Sequence, residues 1–184
     1  MKILAFGASN SKKSINKSLA HFVATLVPNA EIETLDLNDY DLPIFSEDLE
    51  KEIGQPKAAR EFFEKIGSAD GVIVSFAEHN GSYSAAYKNL FDWVSRIDQK
   101  VFQGKLTIFL STSPGPGGAS SVLASAQGSA QFFGANLKAA VSVANFYDVF
   151  DAESGQITEP NTLANLAAAA KALVLREVAE LRAS

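Results

Sequence analysis

Lys2-Ile3-Leu4-Ala5-Phe6 runs straight into Gly7-Ala8-Ser9-Asn10-Ser11-Lys12-Lys13-Ser14-Ile15-Asn16, after which apolar residues recur at helical spacing over residues 16–26. A short apolar run, a small-residue polar loop and an amphipathic helix form the first half of a βαβ unit. The same alternation continues along the chain. Residues 2–6, 31–35, 71–76, 106–110 and 137–143 read as strands, and residues 56–66, 84–97, 120–133 and 162–181 as further helices. Strands separated by helix-length segments imply right-handed crossovers, a five-stranded parallel sheet and helices on both of its faces, a doubly wound α/β fold. Val72-Ile73-Val74 and Leu106-Thr107-Ile108-Phe109-Leu110 are almost unbroken apolar runs, as expected of strands buried on both faces, and they are placed at the sheet's centre. The final helix carries Leu163, Leu166, Ala170, Leu173, Val174, Val178 and Leu181 as one stripe and is expected to pack across a sheet face.

With 184 residues and no linker or repeat, the chain is expected to form a single domain over 1–184. Sixteen basic residues against 21 acidic ones, a net charge of −5, supply no footprint for nucleic acid or an anionic membrane surface, so a small-molecule partner is expected. Cysteine is absent, which excludes disulfides, thiolate metal sites and thiol redox chemistry. Any redox chemistry must therefore come from a cofactor. The opening apolar run is too short for a secretory segment, and the Ala-rich residues 163–181 are interrupted by Lys171, Arg176, Glu177 and Glu180, so a cytoplasmic protein is expected. Residues 39–54 are long and acidic for a connection and read as a functional loop.

Ligands of doubly wound sheets sit beyond the carboxyl ends of the strands. Behind the first strand, the unpaired N–H groups of a helix start, together with Ser and Asn side chains, would suit a phosphate. A plain polar turn in which Ser14 or Asn16 merely caps the helix is the other reading of those residues. The loop nearly spells G-x-x-x-x-G-K-[ST], but Lys12 stands where the second glycine must let the chain wrap a polyphosphate, and the third strand ends in Ser75-Phe76-Ala77-Glu78 without an acidic metal ligand on the strand. A nucleoside triphosphatase is therefore not expected, nor a G-x-G-x-x-G dinucleotide site. Behind the third strand, Asn80, Gly81 and Ser82 offer donors and acceptors to the edge of a flat heterocycle. Behind the fourth, Ser111-Thr112-Ser113-Pro114-Gly115-Pro116-Gly117-Gly118 is small enough to pass a flat ring. The three loops together suit a phosphorylated aromatic ligand better than a metal.

These residues resemble the NAD(P)H-dependent FMN reductase family, which includes quinone and azo-dye reductases. That family shows G-S-x-R-x-x-S-x-N after strand one, P-E-Y-N-x-S after strand three, K-N-x-x-D-W in the next helix and a Ser/Gly-rich loop after strand four. Gly7, Ser9, Ser14 and Asn16 match the first pattern; Glu78, Asn80, Gly81 and Ser82 the second; Lys88, Asn89, Asp92 and Trp93 the third; and Ser113, Gly115, Gly117 and Gly118 the fourth. The resemblance runs over essentially the whole chain. It implies a flavodoxin-like fold of strand order 2-1-3-4-5, a bound FMN, NADPH or NADH as co-substrate, and a homodimer or homotetramer. It further implies a cofactor site of Ser9, Lys12, Ser14, Ile15, Asn16, Glu78, His79, Asn80, Gly81, Ser82, Ser113, Gly115, Gly117 and Gly118. No catalytic side chain and no metal are expected, because the flavin would carry hydride from NAD(P)H to a quinone, azo compound or free flavin. The chain departs from the pattern at Lys12 and Lys13 in place of an Arg, Ala77 in place of Pro, His79 in place of Tyr and Ala85-Ala86 in place of Pro-Gly.

Two other functions are weighed against this one. A flavodoxin-type electron carrier would lack NAD(P)H oxidation but usually has a Thr-rich phosphate loop. A serine hydrolase built on Ser113 or Ser9 with His79 lacks the G-x-S-x-G elbow. Elsewhere, Lys88, Asp92 and Arg96 are expected to form i,i+4 ion pairs, with subunit contact as their second role. Trp93 is expected in the core, and His21 as a structural or solvent-facing residue. The Glu78 side chain is expected to anchor structure rather than act as an acid. Tyr40, Pro43, Ile44 and Phe45 form an apolar cluster that the resemblance places beside a partner subunit's flavin site, with a simple lid as the alternative.

Overall fold

Alternate residues of the first strand point to opposite faces of the sheet, and both faces are buried. Leu4, Phe6 and Ala8 join one core cluster, while Ile3 and Ala5 join the other. The computed structural model describes residues 1–174. Its strands are β1 (Lys2–Ala8), β2 (Glu31–Leu35), β3 (Gly71–Phe76), β4 (Leu106–Thr112) and β5 (Asn136–Val143). Its helices are α1 (Ile15–Thr25), α2 (Glu47–Ile53), α3 (Lys57–Ser68), α4 (Ala85–Ser95), α5 (Ser120–Ser129), α6 (Phe146–Val149) and α7 (Pro160–Ala172). All five strands pair in parallel in the order β2-β1-β3-β4-β5, a flavodoxin-like arrangement and the order expected from the resemblance.

Every residue of β3, the central strand, is buried, as are all but the first of β1 and of β4. On one face α3, α4 and α5 contribute Phe62, Ile66, Leu90, Trp93 and Val122 to the core. On the other, α1 and α7 contribute Leu19, Phe22, Val23, Leu166 and Ala170. The expected stripe of the last helix is only partly buried: Leu166, Ala170 and Leu173 are inside, but Leu163 is 37% exposed. Val178 and Leu181 lie outside the described residues. No helix among the described residues is long and apolar enough to cross a membrane.

Three features depart from the expected pattern. β1 continues two residues past Phe6, with Gly7 opposite Ser75 and Ala8 opposite Phe76, so the loop behind it begins at Ser9. Gly7 is a glycine because α1 crosses it: an added Cβ would lie 2.4 Å from the backbone nitrogen of Lys17. The acidic segment 39–54 is not simply a loop but contains α2. Ser46 caps that helix by accepting from Leu49 N–H, Glu47, Asp48 and Glu50 lie in its first turn, and Gly54 (φ 68°) ends it. Because α2 buries no residue it carries no apolar periodicity to read. Two small antiparallel hairpins, Glu78–His79 with Ser82–Tyr83 and Phe150–Asp151 with Gln156–Ile157, complete the fold.

The contact at Gly7 yields a test of the packing. Gly7→Ala must push the start of α1 away from the sheet and is expected to cost about 3 kcal/mol. Urea unfolding should show a lowered midpoint with an unchanged slope.

Candidate functional site

The first turn of α1, the end of β3 and the end of β4 are joined by one side chain. The Asn16 carboxamide is 4% exposed; its oxygen accepts from Ser75 Oγ (2.7 Å) and from Thr112 N–H (3.2 Å), and its nitrogen donates to Thr112 C=O (3.3 Å). Both ends of the amide are therefore spent inside the protein. What Asn16 offers outward is its backbone N–H, which with that of Ile15 belongs to the opening turn of α1 and has no intrahelical acceptor.

Ser14 is the N-cap of α1, its Oγ accepting from Lys17 N–H at 3.2 Å. Ser9 Oγ accepts in the same way from Ser11 N–H at 3.2 Å. Each hydroxyl uses a lone pair on the backbone and keeps its proton for another acceptor. Both serines are buried, at 8% and 7% exposure, beneath a cleft of about 180 Å³. Ser9, Ser11, Lys13, Ser14, Ile15 and Asn16 line one side of the cleft; Ala77, Glu78, His79, Thr112, Ser113 and Pro114 face them. Tyr147 of α6, 68% exposed, stands at the rim. Lys12 does not line this cleft. It borders a neighbouring depression with Lys17, Ser18, His21 and Thr34, which Lys13 and Ser14 share with the cleft.

The expected site residues behind β3 divide. Glu78 and His79 reach the cleft, whereas Asn80 and Gly81 form the exposed two-residue turn of the hairpin, both at positive φ (53° and 75°). Gly81 serves the turn rather than a close approach, since an added Cβ would meet nothing within 4 Å. Ser82 is likewise exposed on the far arm. The Glu78 carboxylate accepts from Val122 N–H (2.9 Å), capping α5, whose own N-cap residue Ala119 has no side-chain bond to give. That is the anchoring role expected of it.

Behind β4, Ser113 reaches the cleft, Gly115 and Gly117 are open to solvent on their Cβ side, and Gly118 faces inward. A Cβ on Gly118 would lie 2.3 Å from Ser142 Oγ, and its carbonyl accepts from both Ser111 Oγ (2.7 Å) and Ser142 Oγ (2.8 Å). Gly118 therefore packs the loop against β5. Asn145 N–H to Gly115 C=O (2.9 Å) and Phe146 N–H to Ser113 C=O (3.1 Å) tie the rest of that loop to the start of α6. Ser11, Lys13, Ala77, Thr112, Pro114 and Tyr147 line the cleft without belonging to the expected site, although Lys13 stands with Lys12 in place of the family's Arg. The first five stand within or beside the expected loops, and their position alone is a signal for them. Tyr147 follows the fifth strand, whose loop was not read as part of a site.

The segment ahead of α2 is held by α4. Asn89 Nδ2 donates to the carbonyls of Leu42 (3.2 Å) and Pro43 (3.0 Å), Asn89 Oδ1 accepts from Phe45 N–H (2.9 Å), and Trp93 Nε1 donates to Pro43 C=O (2.8 Å). Trp93 is fully buried, as expected, and Phe45 meets its ring edge-on at 5.1 Å. Of the apolar cluster, Pro43 and Ile44 are exposed, Ile44 at 77%, while Tyr40 and Phe45 are partly buried. Lys88 and Asp92 form the expected i,i+4 pair (2.7 Å), but Arg96 pairs with Glu50 of α2 (2.9 Å) instead of Asp92. His21 Nδ1 lies 3.0 Å from Thr34 Oγ1 on the surface. No cluster of three His, Cys, Asp or Glu side chains able to hold a metal occurs among the described residues.

Comparison with known proteins agrees with this geometry. Residues 1–148 match the family described as NADPH-dependent FMN reductase. A 2-hydroxy-1,4-benzoquinone reductase of Burkholderia sp is 35% identical over 117 residues, a match covering 62% of this chain and 62% of the relative's length. The NADH-dependent flavin reductase subunit 2 of Lactobacillus johnsonii is 31% identical over 174 residues, 89% of this chain and 90% of that one. Among solved structures, the flavoenzyme NAD(P)H:(acceptor) oxidoreductase FerB of Paracoccus denitrificans superposes with a TM-score of 0.77 at 25% identity, covering 94% of each chain.

Below the first loop, Lys17 of α1 is paired with Asp36 at the end of β2, and that ammonium, followed by Asn38 N–H, lowers the Asp36 carboxyl from 3.8 to about 2. A depressed folded-state value contributes stability that is whole above the unfolded value and is lost as pH falls toward the folded one. The stability difference between the parent protein and Asp36→Asn is therefore expected to be constant above about pH 5 and to shrink as pH falls from about 4 to about 2. Urea midpoints measured across that range check it.

Proposed function

This chain belongs to the NADPH-dependent FMN reductase family, and on that premise we propose that it is an NAD(P)H-dependent flavin oxidoreductase holding FMN in the cleft behind β1, β3 and β4. The observation that carries the proposal is the donor set at the start of α1. Two helix N–H groups and two buried hydroxyls with protons to give belong to one cleft, which the exposed Lys13 also lines. Its one lining carboxylate, Glu78, is engaged with Val122 N–H. Such a set suits a phosphate monoester, which the helix dipole and neutral donors can hold. In this reading Ser9, Ser14 and the N–H groups of Ile15 and Asn16 hold the phosphate. Lys13, rather than Lys12, supplies the cation.

The flat ring is assigned to the space between residues 77–79 and 113–117. Asn80, Gly81 and Ser82 act by shaping the hairpin, and Gly118 by seating its loop. When bound, FMN supplies the centre that takes hydride from NAD(P)H and returns electrons to an acceptor. The chain's own part is to bind, orient and shelter that centre; no side chain need move a proton. His79 and Tyr147 border the approach and are assigned to the shape of the acceptor site. The names of the relatives support a quinone, free flavin or azo compound as acceptor. We place the enzyme in the cytoplasm as one domain per chain, in a homodimer or homotetramer whose contact includes the exposed Ile44.

The purified protein is expected to contain or rebind FMN and to lose its visible flavin absorbance when mixed with NADPH or NADH without oxygen. A preparation that neither contains nor rebinds FMN overturns the proposal. Flavin that is bound yet reduced by neither nucleotide turns it into an electron carrier. A second expectation concerns Ser14→Asp. Aspartate caps a helix as well as serine, so the fold is retained, but a carboxylate now faces the phosphate. FMN affinity should fall at least about tenfold, a change of roughly 1.4 kcal/mol. Unchanged affinity by flavin fluorescence titration moves the phosphate elsewhere.

A further inference from the structure

The open depression beside the cleft, about 470 Å³ in volume, gathers most of the positive charge near the first loop. Lys12, Lys13 and Lys17 border it together with His21 and the hydroxyl residues Ser18 and Thr34, and no carboxylate lines it. On a chain of net charge −5 this is a local reversal of sign. Lys17 is paired with Asp36, but Lys12 and Lys13 take part in no salt bridge among the described residues. His21 meets Thr34 Oγ1 through Nδ1 at 3.0 Å, and its Nε2 has no hydrogen bond among the described residues. Ammonium groups beside hydroxyls and an imidazole suit the phosphate and sugar of a nucleotide.

The place of the depression in the fold says which nucleotide. Lys13 and Ser14 border both the depression and the cleft, so the two meet at the start of α1. From there the cleft runs toward the ends of β3 and β4, where residues 77–79 and 112–114 line it. The depression runs the other way, to Thr34 of β2, on the opposite side of β1. For a ligand whose phosphate sits at Ser14 and whose ring lies toward β3 and β4, a second phosphate joined to the first continues this line into the depression. The distribution of charge matches. A phosphate monoester gathers about −1.5 to −2 on a single phosphorus, whereas a pyrophosphate diester spreads its charge over two. The donors at Ser14 are neutral apart from Lys13, and the ammonium groups of Lys12 and Lys17 stand further out along the depression.

We propose that the depression receives the adenylate half of a flavin dinucleotide, so that FAD is accepted in the cleft as well as FMN. The inference rests on the cleft's being a flavin site. Lys12 and Lys17 hold the second phosphate, Asp36 keeps the Lys17 ammonium in place, and His21 and Thr34 border the adenosine. FAD then spans β1, with its ring toward β3 and β4 and its adenylate toward β2.

Competition between the two flavins tests this. The full-length protein is equilibrated with equal excess concentrations of FMN and FAD and freed of unbound flavin by rapid gel filtration, and the retained flavins are separated by reverse-phase chromatography. FAD should be retained at least as well as FMN. Lys12→Gln combined with His21→Ala removes a cation and an imidazole from the depression; both residues are exposed, so the fold is kept. The variant should lower the ratio of FAD to FMN about fivefold while total flavin per chain is unchanged. Retention of FMN alone by the parent protein overturns this inference and leaves the flavin site standing, whereas retention of neither flavin overturns both. An unchanged ratio in the variant also overturns the inference, and a KM raised there for NADPH but not for NADH gives the depression to the nicotinamide nucleotide instead.

Discussion

The buried carboxamide of Asn16 ties together the three elements whose ends make the cleft. Ser75 Oγ and both main-chain groups of Thr112 converge on it, so the start of α1 cannot shift relative to the tips of β3 and β4 without leaving buried polar groups unpaired. Each unpaired group would cost on the order of 1–3 kcal/mol. Gly7 makes the tie possible from the other side, because only a residue without a side chain lets the backbone of α1 lie this close to β1. Together they set where the free N–H groups of the helix emerge.

The other loops are secured by the same kind of bond, a side chain from one element meeting the main chain of another. Ser84 Oγ donates to Ala8 C=O while capping α4, Thr112 Oγ1 donates to Val143 C=O, and Glu78 caps α5. These ties cross between consecutive strand ends, from β1 through β5. Loops that would otherwise be the loosest parts of the fold thereby inherit the rigidity of the sheet. A cleft formed this way is largely preorganised, which lowers the entropy cost of ordering it around a ligand.

The strand order and both sheet faces were readable because burial on two sides leaves apolar runs, and helical stripes mark what covers them. α2 was not, since it is held by a serine cap, acidic first-turn residues and the ion pair of Glu50 with Arg96 rather than by an apolar stripe. In the cleft, the three loops expected from the sequence meet, but the packing of single residues was not all visible. Asn80 and Gly81 look like ligand groups in a linear pattern, and the hairpin turn accounts for both through their positive φ. Lys12 and Lys13 are adjacent in the chain, and only the path of the backbone brings Lys13 to the cleft as well as to the depression that both border. Gly118 resembles its open neighbours until β5 is brought against it.

A common physical reason underlies those differences. The side chains with the most obvious capacity to bind, Asn16 and Glu78, are consumed in building the cleft, the first by Ser75 and Thr112 and the second by Val122. What remains unpaired in the cleft is less conspicuous in a sequence: two main-chain N–H groups and the hydroxyl protons of Ser9 and Ser14. Such donors are fixed in place by the scaffold and carry almost no rotamer entropy of their own, so a ligand held by them need not order long side chains on binding. Residue type alone therefore points to the loops that line the cleft and not to the atoms left unpaired there. The atoms follow once each polar side chain is asked which main-chain group it already satisfies.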